Sequence, residues 1–322
     1  MSSISGKSQE FDGLYYKKNK MFMKKTIGRF LHGVLPRKWY KLIANRPLLV
    51  PYYYVSILHE LEHYSDISLT DSAEKNLLLM RKYAHIIDKG LQRKRVEAGH
   101  SKQVYEDLKA ILRDLSPELA EEPTVQWAKK QVARYDALQE DKFQIERKTP
   151  AAPKVSYNDF CELMRNRRSN RYFSERRLSP EDVSKLTATV SWAASSCNKQ
   201  PIKLFYSFAP AVARKCLRCC KGGTGFDGEI PSFWVFTADC RGYVWPSELY
   251  LPHIDVSLGA QNFFLAATTL GLSGTILSWA QHTQEEEQTL RELLEIPPEY
   301  LIVFCAVVGY AKYQYDAPAR KN

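Results

Sequence analysis

The stretch QIERKTPAAPK, from Gln144 to Lys154, constrains this chain more than any other feature: it holds Pro150 and Pro153, mixed charge and no apolar periodicity. Proline lacks the backbone donor and fixes φ, so such a stretch neither continues a helix nor sits in a central strand. It separates two differently patterned regions. Residues 1–145 are expected to form a helical N-terminal region, 146–154 a linker and 155–322 a second domain of mixed character. No internal repeat is found.

Upstream of the linker the apolar spacing is helical. Ser72–Arg93 places Leu77, Met80, Tyr83 and Ile87 on one side, and Val104–Leu115 does the same with Leu108, Ile111 and Leu115. Val125–Leu138 predicts a further helix. Downstream, Ser156 with Asp159, Ser179 with Pro180 and Asp182, and Thr283 with Glu286 form helix-start signals, in which a hydroxyl and an acid three residues on satisfy free N–H groups reciprocally. Leu204–Phe208, Phe233–Thr237 and Leu301–Val308 have strand length and composition. The helix expected over Ile254–Leu270 is apolar around most of its circumference and should be buried on most sides. Helices and short strands mixed in this way predict an α/β or α+β domain.

Composition removes several classes. With 44% hydrophobic and 25% charged residues, the 322-residue chain is ordinary globular material and not a disordered tail. No window approaches the roughly 18 apolar residues of a membrane span, and the first residues lack a basic-then-apolar leader, so the expected compartment is the cytoplasm. Seven cysteines, an odd number in a chain of this size, fit reduced thiols better than a disulfide framework. The charge is uneven. Gly13–His59 contains ten Lys or Arg and no acid, which equals the whole net charge of +10. Interleaved with Met21, Phe22, Ile27, Phe30 and Trp39, this basic arm (13–59) suits peripheral contact with an anionic membrane or an acidic partner. A solvated arm packed on its own protein is the simpler expectation. Nucleic-acid binding ranks below both, because no recognised module frames the block.

The densest polar constellation is Arg167, Arg168, Ser169, Asn170 and Arg171. Guanidiniums around a hydroxyl offer fork-shaped donors for a phosphate, although arginine clusters on solvated faces are more common. Further along, Ser195-Ser196-Cys197-Asn198-Lys199-Gln200-Pro201 is a small, polar loop before an expected strand. Such a loop can bring backbone amides close to a flat ring, or simply connect two elements.

Arg-Arg-Ser-x-Arg-x-Phe (Arg167–Phe173), Ser-Ser-x-Asn-x-Gln-Pro (Ser195–Pro201) and Asp255 followed by Gln261-Asn262 come in order, with IPSFWVFTA (Ile230–Ala238) and VVGY (Val307–Tyr310) after and between them. Together they resemble the FMN-dependent nitroreductase family over about Tyr157–Arg320. The resemblance implies an α+β, three-layer αβα fold with a central mixed, largely antiparallel sheet, preceded here by helices outside the common core. It implies FMN as cofactor, with Arg167, Arg168, Ser169 and Arg171 at its phosphate and ring, and Arg320 closing the phosphate site. Ser195, Ser196, Asn198 and Gln200 would meet the flavin from the partner subunit of a homodimer. Ile276, Leu277 and Ser278 would pass the flavin's N5 edge.

The implied activity is hydride transfer from NAD(P)H through FMN to a small or bulky organic acceptor, such as a nitro compound or a quinone. The flavin carries the chemistry, so no side chain is assigned as catalytic and no metal is expected. Two departures stand out: only about ten residues separate Asp239 from Tyr250, where relatives often carry a longer covering segment, and Thr275–Trp279 lacks a Pro-x-Glu-Gly pattern.

Other readings compete. A non-catalytic flavin-binding or scaffold protein is one. His59-Glu60-Leu61-Glu62-His63 is a literal His-Glu-x-x-His and would suit a zinc-dependent hydrolase, without a marked third ligand. Cys216, Cys219 and Cys220 form one Cys-x-x-Cys without a second pair, expected to be ordinary thiols. His85 and Lys89 form a polar pair in an apolar stretch that suits either a contact with the second domain or a solvated face.

Overall fold

The computed structural model describes residues 72–144, 149–243, 246–280 and 282–320. The basic arm 13–59 and the His59–His63 motif lie outside the described residues. All described residues belong to one compact unit, 63–322.

The helical region contains α1 (Ala73–Leu91), α2 (Lys102–Arg113) and α3 (Pro123–Gln139). Ser72 caps α1, its hydroxyl accepting from Lys75 N at 3.2 Å. Glu122 does the same for α3 through the amides of Thr124 and Val125. Their inward stripes meet in a core of their own, with Met80, Ala84 and Ile87 of α1 against Leu108 of α2 and Val125 and Ala128 of α3. Tyr105 stacks on Tyr135 with ring centroids 4.4 Å apart.

The second region opens with α4 (Tyr157–Asn166) and α5 (Pro180–Thr189), each begun by a complete capping box at the expected residues. There follow β1 (Ile202–Ser207), α6 (Pro210–Arg218), β2 (Phe233–Asp239), α7 (Leu251–Thr269), β3 (Leu272–Leu277), α8 (Gln284–Leu294) and β4 (Tyr300–Tyr310). The sheet order is β1-β2-β4-β3, and every pairing between these strands is antiparallel. β2 is buried along its whole length, which explains its near-continuous apolar sequence. Its side chains alternate between two layers. Phe233 and Val235 pack with Leu217 of α6 and Leu290 of α8, while Trp234 and Phe236 pack with Phe263 of α7 and Leu186 of α5. Helices therefore cover both faces of an antiparallel sheet, an α+β arrangement in three layers. At Gly259 of α7 an added Cβ would stand 2.2 Å from Ile202 Cδ1 and 3.3 Å from Val190 O, so a larger residue would require the Ile202 side chain to shift.

At the N-terminus of α8, His282 Nε2 lies 3.0 Å from Glu287 Oε2, and Arg291 Nε donates to Glu287 at 2.9 Å. Burial pushes the Glu287 carboxyl up, but the hydrogen bond from His282 and the charge of Arg291 outweigh it and hold the group at about 2. Burial likewise disfavours charged His282, yet its bonds to Glu287 and the Trp279 carbonyl leave its pKa above the ordinary 6.5. A depressed carboxylate stabilises the fold above about pH 4.5 and loses that contribution as pH falls toward 2. A raised imidazole contributes fully below about 6.5 and loses that contribution as pH rises through its folded value. Thermal denaturation across pH should therefore show His282→Ala flattening the alkaline limb and Glu287→Gln flattening the acid limb.

Candidate cofactor site

Helix α4 ends at Arg167, which leaves helical geometry at φ −61°, ψ 126°. The chain then runs between two other segments. On one side lies the C-terminal tail: Ser174 N donates to Tyr310 O at 2.8 Å, Lys312 N to Tyr172 O at 2.9 Å, and Arg168 Nε to Tyr315 O at 3.2 Å. On the other lies β3, where Ser273 Oγ donates to Arg168 O at 3.0 Å and Thr275 Oγ1 to Asn170 O at 2.6 Å. Asn170 is the pin of this arrangement. Its buried amide donates to Tyr313 O at 2.7 Å and accepts from Tyr172 N at 2.8 Å. Nothing in the sequence distinguishes that role from any other asparagine beside arginines.

The return of the tail brings Arg320 into the field of Arg167. Burial pushes the Arg167 guanidinium below its ordinary range, and the charges of Arg320 and then Arg168 push it further. Every arginine ion pair among the described residues belongs to Arg81, Arg134, Arg177, Arg241 or Arg291, so no described carboxylate forms an ion pair with this cluster. Like charges gathered on a half-buried segment repel one another, and a phosphate dianion would turn that repulsion into charge-assisted hydrogen bonds. Arg171 sits to the side, 5.9 Å over the Phe226 ring, with Cδ against Gly225, which has φ +86°. Ser169 is exposed. Along the end of β3, Ile276 and Ser278 face outward while the Leu277 side chain enters the sheet core, so Leu277 has only backbone to offer the outer face.

The Ser195–Gln200 loop forms a second locus. Ser196 N lies 3.0 Å from both carboxylate oxygens of Asp255, and Ser196 Oγ donates to the same group at 3.0 Å. Tyr243 donates its hydroxyl to Asp255 at 2.6 Å. Gln200 N donates to Ser195 Oγ at 3.0 Å, and Gln200 Nε2 to Asn198 Oδ1 at 3.1 Å. Cys197, Asn198 and Gln200 all take left-handed backbone, at φ 52°, 54° and 51°. That conformation costs a residue with a side chain roughly 1 kcal/mol or more, so the surroundings must hold it. Lys199 between them is fully buried, its ammonium 2.6 Å from Glu248 and 4.3 Å from the Tyr243 ring centroid. Sequence reasoning found Asp255 only as part of a motif and Lys199 only as one member of the loop, and it missed Tyr243 and Glu248. No hydrogen bond or ion pair among the described residues joins this loop to the arginine cluster.

The cysteine motif is a packing feature. Cys216, Cys219, Cys220 and Cys305 are buried together in the core between sheet and α6, and burial pushes the Cys216 thiol up to about 12. Among the described residues no group of His, Cys, Asp or Glu has the arrangement to hold a metal ion. Nor is any described helix long and apolar enough to cross a membrane.

The family model for the nitroreductase family matches residues 164–218 and 248–310, which span the arginine segment, the Ser195–Gln200 loop, α7 and the last two strands. A protein of Archaeoglobus fulgidus described as an NADH dehydrogenase/NAD(P)H nitroreductase is 31% identical over 167 residues, covering 50% of this chain and 91% of that relative. Among solved structures, an NADH dehydrogenase/NAD(P)H nitroreductase from Parabacteroides distasonis matches with a TM-score of 0.44 at 20% identity, over 50% of this chain and 92% of the other. A nitroreductase from Desulfovibrio desulfuricans, solved in complex with FMN, matches with a TM-score of 0.44 at 18% identity, over 52% and 94% of the two chains. With about nine-tenths of the Archaeoglobus relative covered at that identity, this chain belongs to the nitroreductase family.

Proposed function

We propose that this protein is an FMN-dependent oxidoreductase that passes two electrons from NAD(P)H to an organic acceptor. The observation that carries the reading is the cluster of Arg167, Arg168 and Arg320, gathered by the returning tail, with no ion pair to a carboxylate among the described residues. The phosphate of FMN, close to two negative charges at neutral pH, fits that charge. Arg167, Arg168 and Arg320 would hold it, with Ser169 as a further donor and Arg171 toward the ring. FMN, when bound, supplies the two-electron carrier, so the chain's own residues need only bind and orient it. The outward residues Ile276 and Ser278 would border the cofactor and orient it.

The functional unit in this reading is a homodimer. Tyr157, Phe160 and Met164 on α4 and Ile254 and Leu258 on α7 stay open to solvent within the protomer, and Trp192 is 84% exposed. Helices α4 and α7 pack on each other, and a second subunit seated there would cover these exposed apolar side chains. A partner would also deliver Ser195, Ser196, Asn198 and Gln200, which no hydrogen bond or ion pair among the described residues joins to the protomer's own arginine cluster. The division into a helical region and a cofactor domain at 146–154 is part of this reading, as is an acceptor drawn from nitro compounds, quinones or bulkier organic molecules. The short connection between Asp239 and Tyr250 favours an open site and the bulkier end of that range.

The test is an FMN titration of the purified protein, followed by NADH and NADPH oxidation with a panel of acceptors. Saturable uptake of one FMN per chain and acceptor-dependent turnover are expected. Protein that stays colourless and takes up no FMN would overturn the reading. Contact with anionic lipid is an expectation of residues 13–59 alone: the full chain should sediment with anionic vesicles and a chain lacking residues 1–50 should not.

A further inference from the structure

We infer that helix α1 is a working part of the cofactor site, with Arg81 as the residue that positions the Ser195–Gln200 loop and Lys82 in support. The inference rests on the reading that this loop faces FMN. Arg81 Nη1 donates to the backbone carbonyl of Lys199 at 3.3 Å, a contact across 118 residues of sequence, while its Nε donates to Thr124 Oγ1 at 3.0 Å. Glu122 lies 3.7 Å from the same guanidinium. Arg81 is thus tied on one side to the start of α3 and on the other to the loop. Lys82 places its ammonium 3.9 Å from Glu248, the partner of buried Lys199. The neighbouring turn is held as well: Arg241 Nη1 donates to Ser72 Oγ at 2.7 Å, and Leu78 packs against Gly242.

The position of the Arg81 contact gives it its effect. The Lys199 carbonyl lies on the peptide between Lys199 and Gln200, and Gln200 is one of the three left-handed residues. Holding that oxygen fixes the orientation of the peptide plane, and with it the φ of Gln200. Asp255 holds the opposite end of the loop through Ser196. With one end released, the strained residues can relax to extended backbone, and the amides and side chains at Ser196, Asn198 and Gln200 lose their fixed directions. An arginine on a helix outside the family's common core thereby sets the shape of a family loop. These polar contacts with the second domain are made one turn before His85 and two turns before Lys89.

Cys197 provides a readout that does not depend on turnover. It lies in the loop, and it is the one cysteine of the seven that is not buried. The experiment measures the alkylation rate of Cys197 by iodoacetamide, mapped by mass spectrometry, together with FMN affinity, for the full-length wild type, Arg81→Ala, Arg81→Lys and Lys82→Ala. Arg81→Ala should label Cys197 roughly tenfold faster through local opening, with the six buried thiols still protected, and should bind FMN about tenfold more weakly. Arg81→Lys, which keeps the charge and one of the two tethers, should fall between, and it decides the matter if the alanine variant does not fold. Lys82→Ala should shift both quantities in the same direction by less. An unchanged Cys197 rate would overturn the inference, as would faster labelling with unaltered FMN affinity. A wild type that takes up no FMN would overturn the functional reading, while the labelling rates would still judge the clamp.

Discussion

Lys199→Ala is expected to lower stability by about 3 kcal/mol, the largest loss from any single exchange near the site. The ammonium is fully buried, paired to Glu248 at 2.6 Å and seated against the Tyr243 ring. Removing it takes a 2.6 Å ion pair from the nearly buried Glu248 carboxylate. Breaking one side of a buried pair typically costs about 3–5 kcal/mol, and Lys82 at 3.9 Å retains enough compensation to place this case at the low end. For a unit of this size the melting temperature should fall by roughly 6–12 °C. The double variant Lys199→Met with Glu248→Leu removes both charges and should recover most of the loss, because an apolar pair of similar volume needs no desolvation. If the double variant melts as low as the single one, packing of the lysine stem rather than the ion pair is responsible.

That lysine also shows where sequence reading stops. The capping boxes at Ser156, Ser179 and Thr283 were legible because a cap is decided by residues three apart, and all three formed as expected. The apolar periods of α1–α3 and the runs of β1, β2 and β4 were legible for the same reason. Helix α6 and strand β3 were not. LSGTIL is short, contains glycine and alternates only weakly, and it becomes a strand because β4 offers it an edge. Nothing local marks Lys199 among the polar residues of its loop, or Arg81 among the charges of α1. Both are buried or half-buried by partners far away in sequence, a circumstance no local pattern carries. The arginine segment was visible as a cluster, but its meaning depends on Asn170, β3 and the tail that carries Arg320, which three-dimensional packing alone assembles.

Arg167→Ala should separate the needs of the cofactor from those of the fold. A side chain kept for folding destabilises the protein when removed. Arg167 is repelled by Arg168 and Arg320 and partly stripped of water, so its removal should leave the melting temperature of the cofactor-free protein unchanged or slightly higher. The same exchange removes charge-assisted hydrogen bonds to a phosphate, each worth about 1.5–3 kcal/mol, and FMN affinity should fall by roughly ten- to a hundredfold. Residual FMN binding should then be less sensitive to added salt, since fewer charges meet the phosphate. The opposed signs are the discriminating feature. Loss of stability together with unchanged FMN affinity would identify Arg167 as an ordinary structural residue and move the phosphate elsewhere. Unchanged stability with weakened FMN and a shallower salt dependence would fix the phosphate at the end of α4, where three repelling guanidiniums are tolerated because an anion joins them.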